Sequence, residues 1–275
     1  MIELPEALTL AKQLEKEVVG KVVARVNPPT KPHKFCWFNG DPCDYELKIR
    51  DCELRYAEGF GIFAEIGFSN GERLCINDGV NVRYLSAGGI PKDYQLLIVF
   101  TDGTALVFTV AMYGSIILHS GDYENKYYLK SRNAVSPFSN GFEAYYHGLL
   151  NESRPAFSAK AFLATEQRFP GIGNGVLQDI LFAAHINPKR KIGTLSDAEK
   201  DMLLTCITSV LREMTELGGR DTEKDLFGGP GGYQTKMSKN ALSAGCPACG
   251  GAIKKEAYLG GSVYYCPVCQ PFDQR

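Results

Sequence analysis

The sequence predicts an α+β protein with more than one domain. We expect an N-terminal β-sandwich with flanking helices and a C-terminal helical domain that carries a Cys₄ hairpin. Three observations support this. Short apolar runs separated by Gly-rich turns fill the first half, which is typical of a sandwich or barrel. Helical periodicity fills the second half. Two Cys-x-x-Cys pairs lie near the end of the sequence.

Composition sets the broad class. The sequence has 275 residues, which favours two domains, and 44% hydrophobic residues, which is ordinary for a globular protein. We find no signal peptide and no apolar run long enough to span a membrane. Nine cysteines without a secretion signal favour reduced thiols. We therefore expect a cytoplasmic monomer away from membranes. A net charge of −1 lacks the strong basic footprint of many nucleic-acid binders.

The first domain is predicted over residues 1–125. It opens with a helix over residues 4–19, because Pro5 and Glu6 suit a helix start and Gly20 ends the periodicity. Hairpin turns are predicted at residues 69–71 and 101–103. The predicted strands span residues 22–26, 46–49, 53–57, 61–68, 73–76, 81–85, 95–100, 105–110 and 115–118.

A basic and aromatic cluster precedes most of these strands and contains His33, Lys34, Phe35, Trp37 and Phe38. Such a cluster can contact phosphates or stack on a base. An aromatic edge of the core with solvated lysines explains the pattern equally well. The sequence leaves both interpretations open.

The second domain is predicted over residues 126–242. Its last helix has the clearest signals, with Ser196 and Glu199 as a capping box and Gly218-Gly219 past the end. A Gly-rich segment near 228–240 follows and carries Lys236 and Lys239. Long segments without regular structure are usually functional or mobile, so we expect a flexible loop. The predicted helices span residues 140–150, 158–169, 176–184 and 196–217.

The third segment, residues 243–275, contains four cysteines in two pairs separated by sixteen residues. Predicted strands at 252–258 and 263–265, joined by a turn at 260–262, would bring the pairs together. Two disulfides or four free thiols are the alternatives, but this spacing favours a structural Zn²⁺ site. The predicted ligands are Cys246, Cys249, Cys266 and Cys269.

A glycine-containing turn joins two of the predicted helices and reads Phe169-Pro-Gly-Ile-Gly-Asn174. Glycines let a backbone approach a ligand closely, and the following helix N-terminus attracts anions such as phosphate. Taken alone, the turn is a weak signal that an ordinary helix connection explains better.

Together these motifs resemble the formamidopyrimidine-DNA glycosylase / endonuclease VIII family of base-excision repair enzymes. The shared residues are Glu3 to Glu6, the turn at 171–174 with Lys160 fourteen residues upstream, and the cysteine hairpin. The resemblance implies a helix–two turns–helix DNA-binding domain, a Zn²⁺ ion, and double-stranded DNA, damaged or distorted, as the partner. The DNA-binding residues it points to are Lys160, Gly171, Gly173 and Asn174, to which the basic loop adds Lys236 and Lys239.

The resemblance also implies DNA glycosylase and AP-lyase chemistry on a flipped base, in which an N-terminal proline amine attacks the sugar. Here Ile2 stands in place of that proline. We expect the bulky Ile2 to prevent removal of Met1, so the candidate nucleophile is the Met1 amine, or that of Ile2 if Met1 is removed. Glu3 takes the place of the catalytic acid/base. Its other interpretation is a helix N-terminal acid stabilised by the helix dipole.

The sequence departs from the family at other positions. Gly261 occupies the position at which the family's zinc hairpin has an arginine, and Asp179 occupies the position of a glutamate in the family. The family's Arg-Arg-Phe-Gly motif is replaced here by residues 111–114. Within this segment, Met112 either inserts into the base stack or is a core residue. These losses leave two rival functions: a catalytically inactive lesion- or structure-specific DNA-binding paralogue, and a module that binds RNA or protein.

Overall fold

The computed structural model describes residues 1–86 and 88–272. The N-terminal part is a β-sandwich, as predicted. One sheet has four strands in the order β1-β7-β8-β6, and the other has five in the order β2-β9-β5-β4-β3. The strands are β1 (Val23–Asn27), β2 (Cys36–Phe38), β3 (Leu54–Phe60), β4 (Phe63–Phe68), β5 (Arg73–Asn77), β6 (Val80–Leu85), β7 (Leu96–Phe100), β8 (Ala105–Val110) and β9 (Gly114–His119).

Helix α1 (Leu4–Val18) lies against β3 and β4 and supplies buried side chains to the sandwich core. Its apolar residues recur every three to four positions, so one face meets the sheet. The approach is close at Gly59, where an added Cβ would lie 2.4 Å from the carbonyl oxygen of Ala7. This contact holds the start of the chain against the sheet.

The predicted strand at 46–49 is wrong, because these residues form helix α2 (Tyr45–Ile49). The Asp41 carboxylate accepts a hydrogen bond from the backbone of Cys43 and starts a 3-10 turn that leads into α2. Tyr45 and Ile49 are both buried and lie four positions apart, so they share one helix face. Strand β2, which pairs in parallel with β9, was not predicted.

The second part is helical, as predicted. Its main core lies between the helices at Val176–Ala183 and Asp197–Glu216, and the second of these has the predicted capping box. The predicted helix 158–169 ends early, because Glu166 and Gln167 have φ angles of 58° and 52°. The helices are α3 (Lys126–Arg132), which was not predicted, α4 (Phe142–Glu152), α5 (Ala159–Ala164), α6 (Val176–Ala183) and α7 (Asp197–Glu216).

The final hairpin pairs β10 (Lys254–Tyr258) with β11 (Gly261–Tyr265), so Gly261 lies in a strand rather than in the predicted turn. The segment before it is anchored: Tyr233 and Met237 are buried, and Asp179 accepts hydrogen bonds from the backbone of Lys236 and Met237. Its flexibility stays a prediction.

The domain boundaries at 125/126 and 242/243 also stay predictions, and residues 273–275 lie outside the described part of the chain. Among the described helices, none has the length and apolar character needed to cross a bilayer.

Candidate nucleic-acid interface

The first residues of the chain are bound directly to the glycine turn of the helical domain. Leu4 N donates to Gly171 O at 3.0 Å. The Glu3 carboxylate accepts from Gly175 N at 2.8 Å and from Val176 N at 2.7 Å. Glu3 is also the N-cap of α1, where it forms a capping box with Glu6. The carboxylate of a residue at the start of α1 therefore satisfies two backbone donors at the start of α6.

The turn requires glycine for this contact. Gly171 has a φ of 95°, and an added Cβ would lie 2.6 Å from the Leu4 side chain. A Cβ on Gly173 would lie 2.6 Å from the Glu3 carboxylate. Gly171 and Gly173, both predicted to approach DNA, thus lie against the start of the chain in this structure.

A buried ion cluster lies beneath the turn. Arg220 is 3% exposed, and it donates to Glu6 at 2.7 and 2.9 Å and to Met1 O at 3.2 Å. Its guanidinium also lies 3.6 Å from Glu3. Burial raises the pKa of Glu3, although Arg220 opposes that change. Burial lowers the pKa of Arg220, but Glu3 and Glu6 more than offset this and raise it. Sequence reasoning missed Arg220, whose one signal is its place directly after the helix-ending glycines.

The amine at the start of the chain belongs to Met1, which is 44% exposed and forms an ion pair with the Glu223 carboxylate. Ile2 is buried in the sandwich core, and its peptide N–H donates to Asp78 O at 2.7 Å. Ile2 therefore has no free amine while Met1 is present. The catalytic roles predicted for Met1, Ile2 and Glu3 stay predictions.

Lys160 and Asn174 both contact the final hairpin. Lys160 Nζ donates to Tyr258 O at 2.6 Å, and burial lowers the pKa of this lysine. Asn174 Nδ2 donates to Ser262 O at 2.9 Å, while its Oδ1 is buried without a partner among the described residues. Their phosphate-binding role stays a prediction, because in this structure each holds a hairpin carbonyl.

Gln178, which sequence reasoning did not single out, lies in the first turn of α6 and also contacts the hairpin. Its amide donates to Ser262 O at 2.9 Å and accepts from Tyr264 N at 3.0 Å. It pairs with the edge of β11 much as a neighbouring strand would. Side chains of α5, of the glycine turn and of α6 thus position the hairpin.

A cavity of about 240 Å³ opens where these parts meet. Its lining includes Met1, Glu3, Asn174, Gln178 and Lys239. Lys239 is exposed, so its ammonium is available to an anion. Lys236 instead lies with its ammonium 3.8 Å from Glu213 and 5.4 Å from the Tyr233 ring centroid. Of the predicted catalytic and DNA-binding residues, Met1, Glu3, Asn174 and Lys239 thus line one opening, whereas Ile2, Lys160, Gly171, Gly173 and Lys236 do not.

The structure also bears on Met112 and Gly261. Met112 is 68% exposed, so it is not a core residue. It lies beside a second cavity of about 170 Å³, which also contacts Met1 and Arg220. At Gly261, an added Cβ would lie 3.3 Å from the Asn174 side chain. An arginine there would therefore displace Asn174 slightly.

The four predicted zinc ligands form a cluster in which all sulfur atoms lie within 4.8 Å of one another. The Cys249–Cys266 and Cys246–Cys269 sulfur atoms are 3.5 and 3.7 Å apart, and none of these cysteines is in a disulfide. A tetrahedral ion with Zn–S bonds of about 2.3 Å places its sulfur atoms about 3.8 Å apart. The cluster can therefore hold a metal ion.

The chain is similar in sequence to known proteins over nearly its whole length. It is 27% identical over 283 residues to the formamidopyrimidine-DNA glycosylase of Thermus thermophilus, covering 98% of each protein. The same identity extends over 278 residues of the Laribacter hongkongensis formamidopyrimidine-DNA glycosylase, covering 98% of the chain and all of that protein. No protein-family model matches.

Solved structures share the fold. Lactococcus lactis Fpg in complex with DNA containing an abasic site superposes with a TM-score of 0.83 at 22% identity, covering 98% of this chain and 100% of that one. The MutM (Fpg) protein of Thermus thermophilus gives 0.79 at 23% identity, covering 98% of each chain. Both domains and the hairpin therefore follow one known architecture.

Proposed function

We propose that this chain, a divergent member of the formamidopyrimidine-DNA glycosylase family, binds damaged duplex DNA at the junction of its two domains. One observation carries the proposal. The Glu3 carboxylate caps α6, so the terminal amine, the Asn174 turn and the hairpin border one opening. The relatives named above act as formamidopyrimidine-DNA glycosylases, and one was solved on abasic DNA. A damaged nucleotide that leaves the duplex would enter from this side.

The hairpin completes the interface, and we propose Zn²⁺ as its metal. The four cysteines would hold the ion in a closed site, which supplies folding energy rather than chemistry. Lys160, Asn174 and Gln178 then seat the folded hairpin on the helical domain. Loss of the metal would release these contacts and open the interface.

A salt titration tests DNA binding. Each lysine that neutralises a phosphate contributes a slope of about −0.9 in a plot of log affinity against log salt concentration. We expect Lys239→Ala to weaken binding to an abasic-site duplex and to make the slope shallower by about that amount. The matched control is Lys16→Ala, on the exposed face of α1. Equal slopes for wild type and Lys239→Ala would contradict the placement of DNA over this opening. If the wild type showed no salt-dependent binding, the whole proposal would fail.

A second candidate function is AP-lyase activity through the Met1 amine. It is favoured by the half-exposed position of Met1 at the opening, because a primary amine can form an imine with the aldehyde of an abasic site. In such a step the amine attacks C1′, water leaves, and a carboxylate accepts and returns the protons. Glu223 forms an ion pair with the amine, and Glu3 lines the same opening.

Borohydride trapping on abasic DNA distinguishes an AP lyase from a catalytically inactive DNA-binding protein. A covalent adduct with the wild type, absent when the terminal amine is acetylated, would establish the imine route. DNA binding without an adduct, under conditions that trap the Thermus thermophilus formamidopyrimidine-DNA glycosylase as a control, would show that the protein binds DNA without catalysis. Intact mass of the protein reports whether Met1 or Ile2 carries the amine.

A further inference from the structure

An exposed aromatic strip follows β2 at the edge of the five-stranded sheet. Side chains alternate along a strand, and here Cys36 and Phe38 face inward and pack against the sandwich core. Phe35 and Trp37 face outward and remain 46% and 49% exposed. The aromatic cluster of the sequence is thus split: Phe38 belongs to the core, and Phe35 and Trp37 do not. We call Phe35, Trp37 and Lys34 the aromatic strip.

The aromatic strip is continuous with the proposed DNA interface. Phe35 O accepts a hydrogen bond from Gly114 N at 3.0 Å, and β2 then runs parallel to β9. Tyr113 directly precedes β9, and its hydroxyl donates to the Met1 sulfur at 3.3 Å. The aromatic strip therefore starts beside the residues that flank the terminal amine and extends away along the sheet edge.

The charge and spacing of the aromatic strip suit a nucleic acid. Lys34 Nζ lies 5.3 Å from the Phe35 ring centroid and has no carboxylate partner among the described residues. Two residues along a strand cover about 6.6 Å. This is close to two base steps of about 3.4 Å in a stacked strand. Phe35 and Trp37 are thus spaced to contact bases two positions apart while Lys34 contacts phosphate.

We propose that the aromatic strip stacks on unpaired bases of a single-stranded segment adjoining the damaged duplex. The inference rests on the proposed function and deepens it, because it makes duplexes with a gap or an overhang better ligands than continuous duplexes. Paired bases do not present their faces to a side chain, whereas single strands do. Exposed edge strands also pair with further strands, so a second copy of this chain is the competing occupant.

Trp37 is the one tryptophan of the sequence, so its fluorescence reports on the aromatic strip directly. The probes are an abasic-site duplex with a short single-stranded overhang and the same duplex with blunt ends. We expect the overhang to quench Trp37 and to raise affinity at least 5-fold, which corresponds to stacking of one base. Phe35→Ala keeps the reporter and should lose most of the gain. Met202→Ala, which removes an exposed apolar side chain from α7, should retain it.

Anisotropy of labelled DNA extends the test to Trp37→Phe, which should keep part of the gain, and Trp37→Ala, which should lose it. Melting temperatures equal to wild type confirm that the variants fold. The inference is overturned if the wild type binds both duplexes equally, or if Trp37 responds to protein concentration without DNA, which would assign the aromatic strip to self-association. Failure of the proposed function looks different, because then the blunt damaged duplex would not bind either.

Discussion

Replacing Arg220 by Met should destabilise the protein strongly and in a pH-dependent way. Arg220 is the cation between the buried carboxylates of Glu3 and Glu6. Methionine keeps much of the apolar volume but leaves two buried acids without a counter-charge. Removing one partner of a buried ion pair costs about 3–5 kcal/mol. In a protein of this size, that loss corresponds to a melting temperature lower by about 6–20 °C.

The pH dependence follows from the raised pKa of Glu3. Between the unfolded pKa and the raised folded pKa, the folded state binds more protons than the unfolded state. Stability therefore falls as the pH rises through that interval. Without Arg220, protonation of Glu3 becomes still more favourable in the folded state. We expect the stability difference between Arg220→Met and wild type to be largest near neutral pH and to shrink as the pH falls toward 5.

Thermal unfolding at several pH values measures this difference. Arg212→Met is the matched control, because Arg212 is exposed on α7 and its loss should cost less than about 0.5 kcal/mol. The double variant Glu3→Gln/Arg220→Met should recover part of the loss, because it removes one of the two uncompensated charges. If Arg220→Met melted at the same temperature as the wild type, or if its loss of stability did not change with pH, the account of this cluster would be refuted.

Other predictions concern the hairpin. Cys249→Ser should release one equivalent of metal and lower the melting temperature, whereas the exposed Cys43→Ser should do neither; zinc analysis and calorimetry check this. Gln178→Ala should weaken DNA binding several-fold while the metal stays bound, and loss of zinc from this variant would contradict a purely positioning role. Gly261→Arg should tighten DNA binding and steepen the salt slope by about 0.9, and an unchanged slope would argue against DNA near Gly261.

The architecture was largely readable from the sequence where local signals were strong. The capping box at Ser196, the hairpin turns and the cysteine spacing each specify a local structure through a few neighbouring residues. The segment 46–49, which lies in α2, was misread as a strand, because four residues carry too little periodicity to distinguish a strand from a helix. Its helical turn is set by an Asp41 side chain further back.

The candidate site was less predictable, because its contacts join distant parts of the chain. Glu3 has two interpretations in the sequence, and the structure shows its carboxylate on the α6 N-terminus, 173 positions away. Gln178 belongs to no local motif, and the one local signal for Arg220 is its place directly after Gly218-Gly219, which does not indicate its distant partners. The basic and aromatic cluster left two interpretations open, and only the alternation along β2 separates Phe38 from Phe35 and Trp37.

The seat of Glu3 on α6 has a consequence for synthesis of the protein. Residues 3–6 leave the ribosome well before their binding partners at Gly175, Val176 and Arg220 emerge. At about 5–20 residues per second, this delay lasts roughly 10–40 s. During this delay, the first residues of the chain lack the groups that bury them in the folded protein. Maturation of the amino end is therefore a late event in the life of the nascent polypeptide.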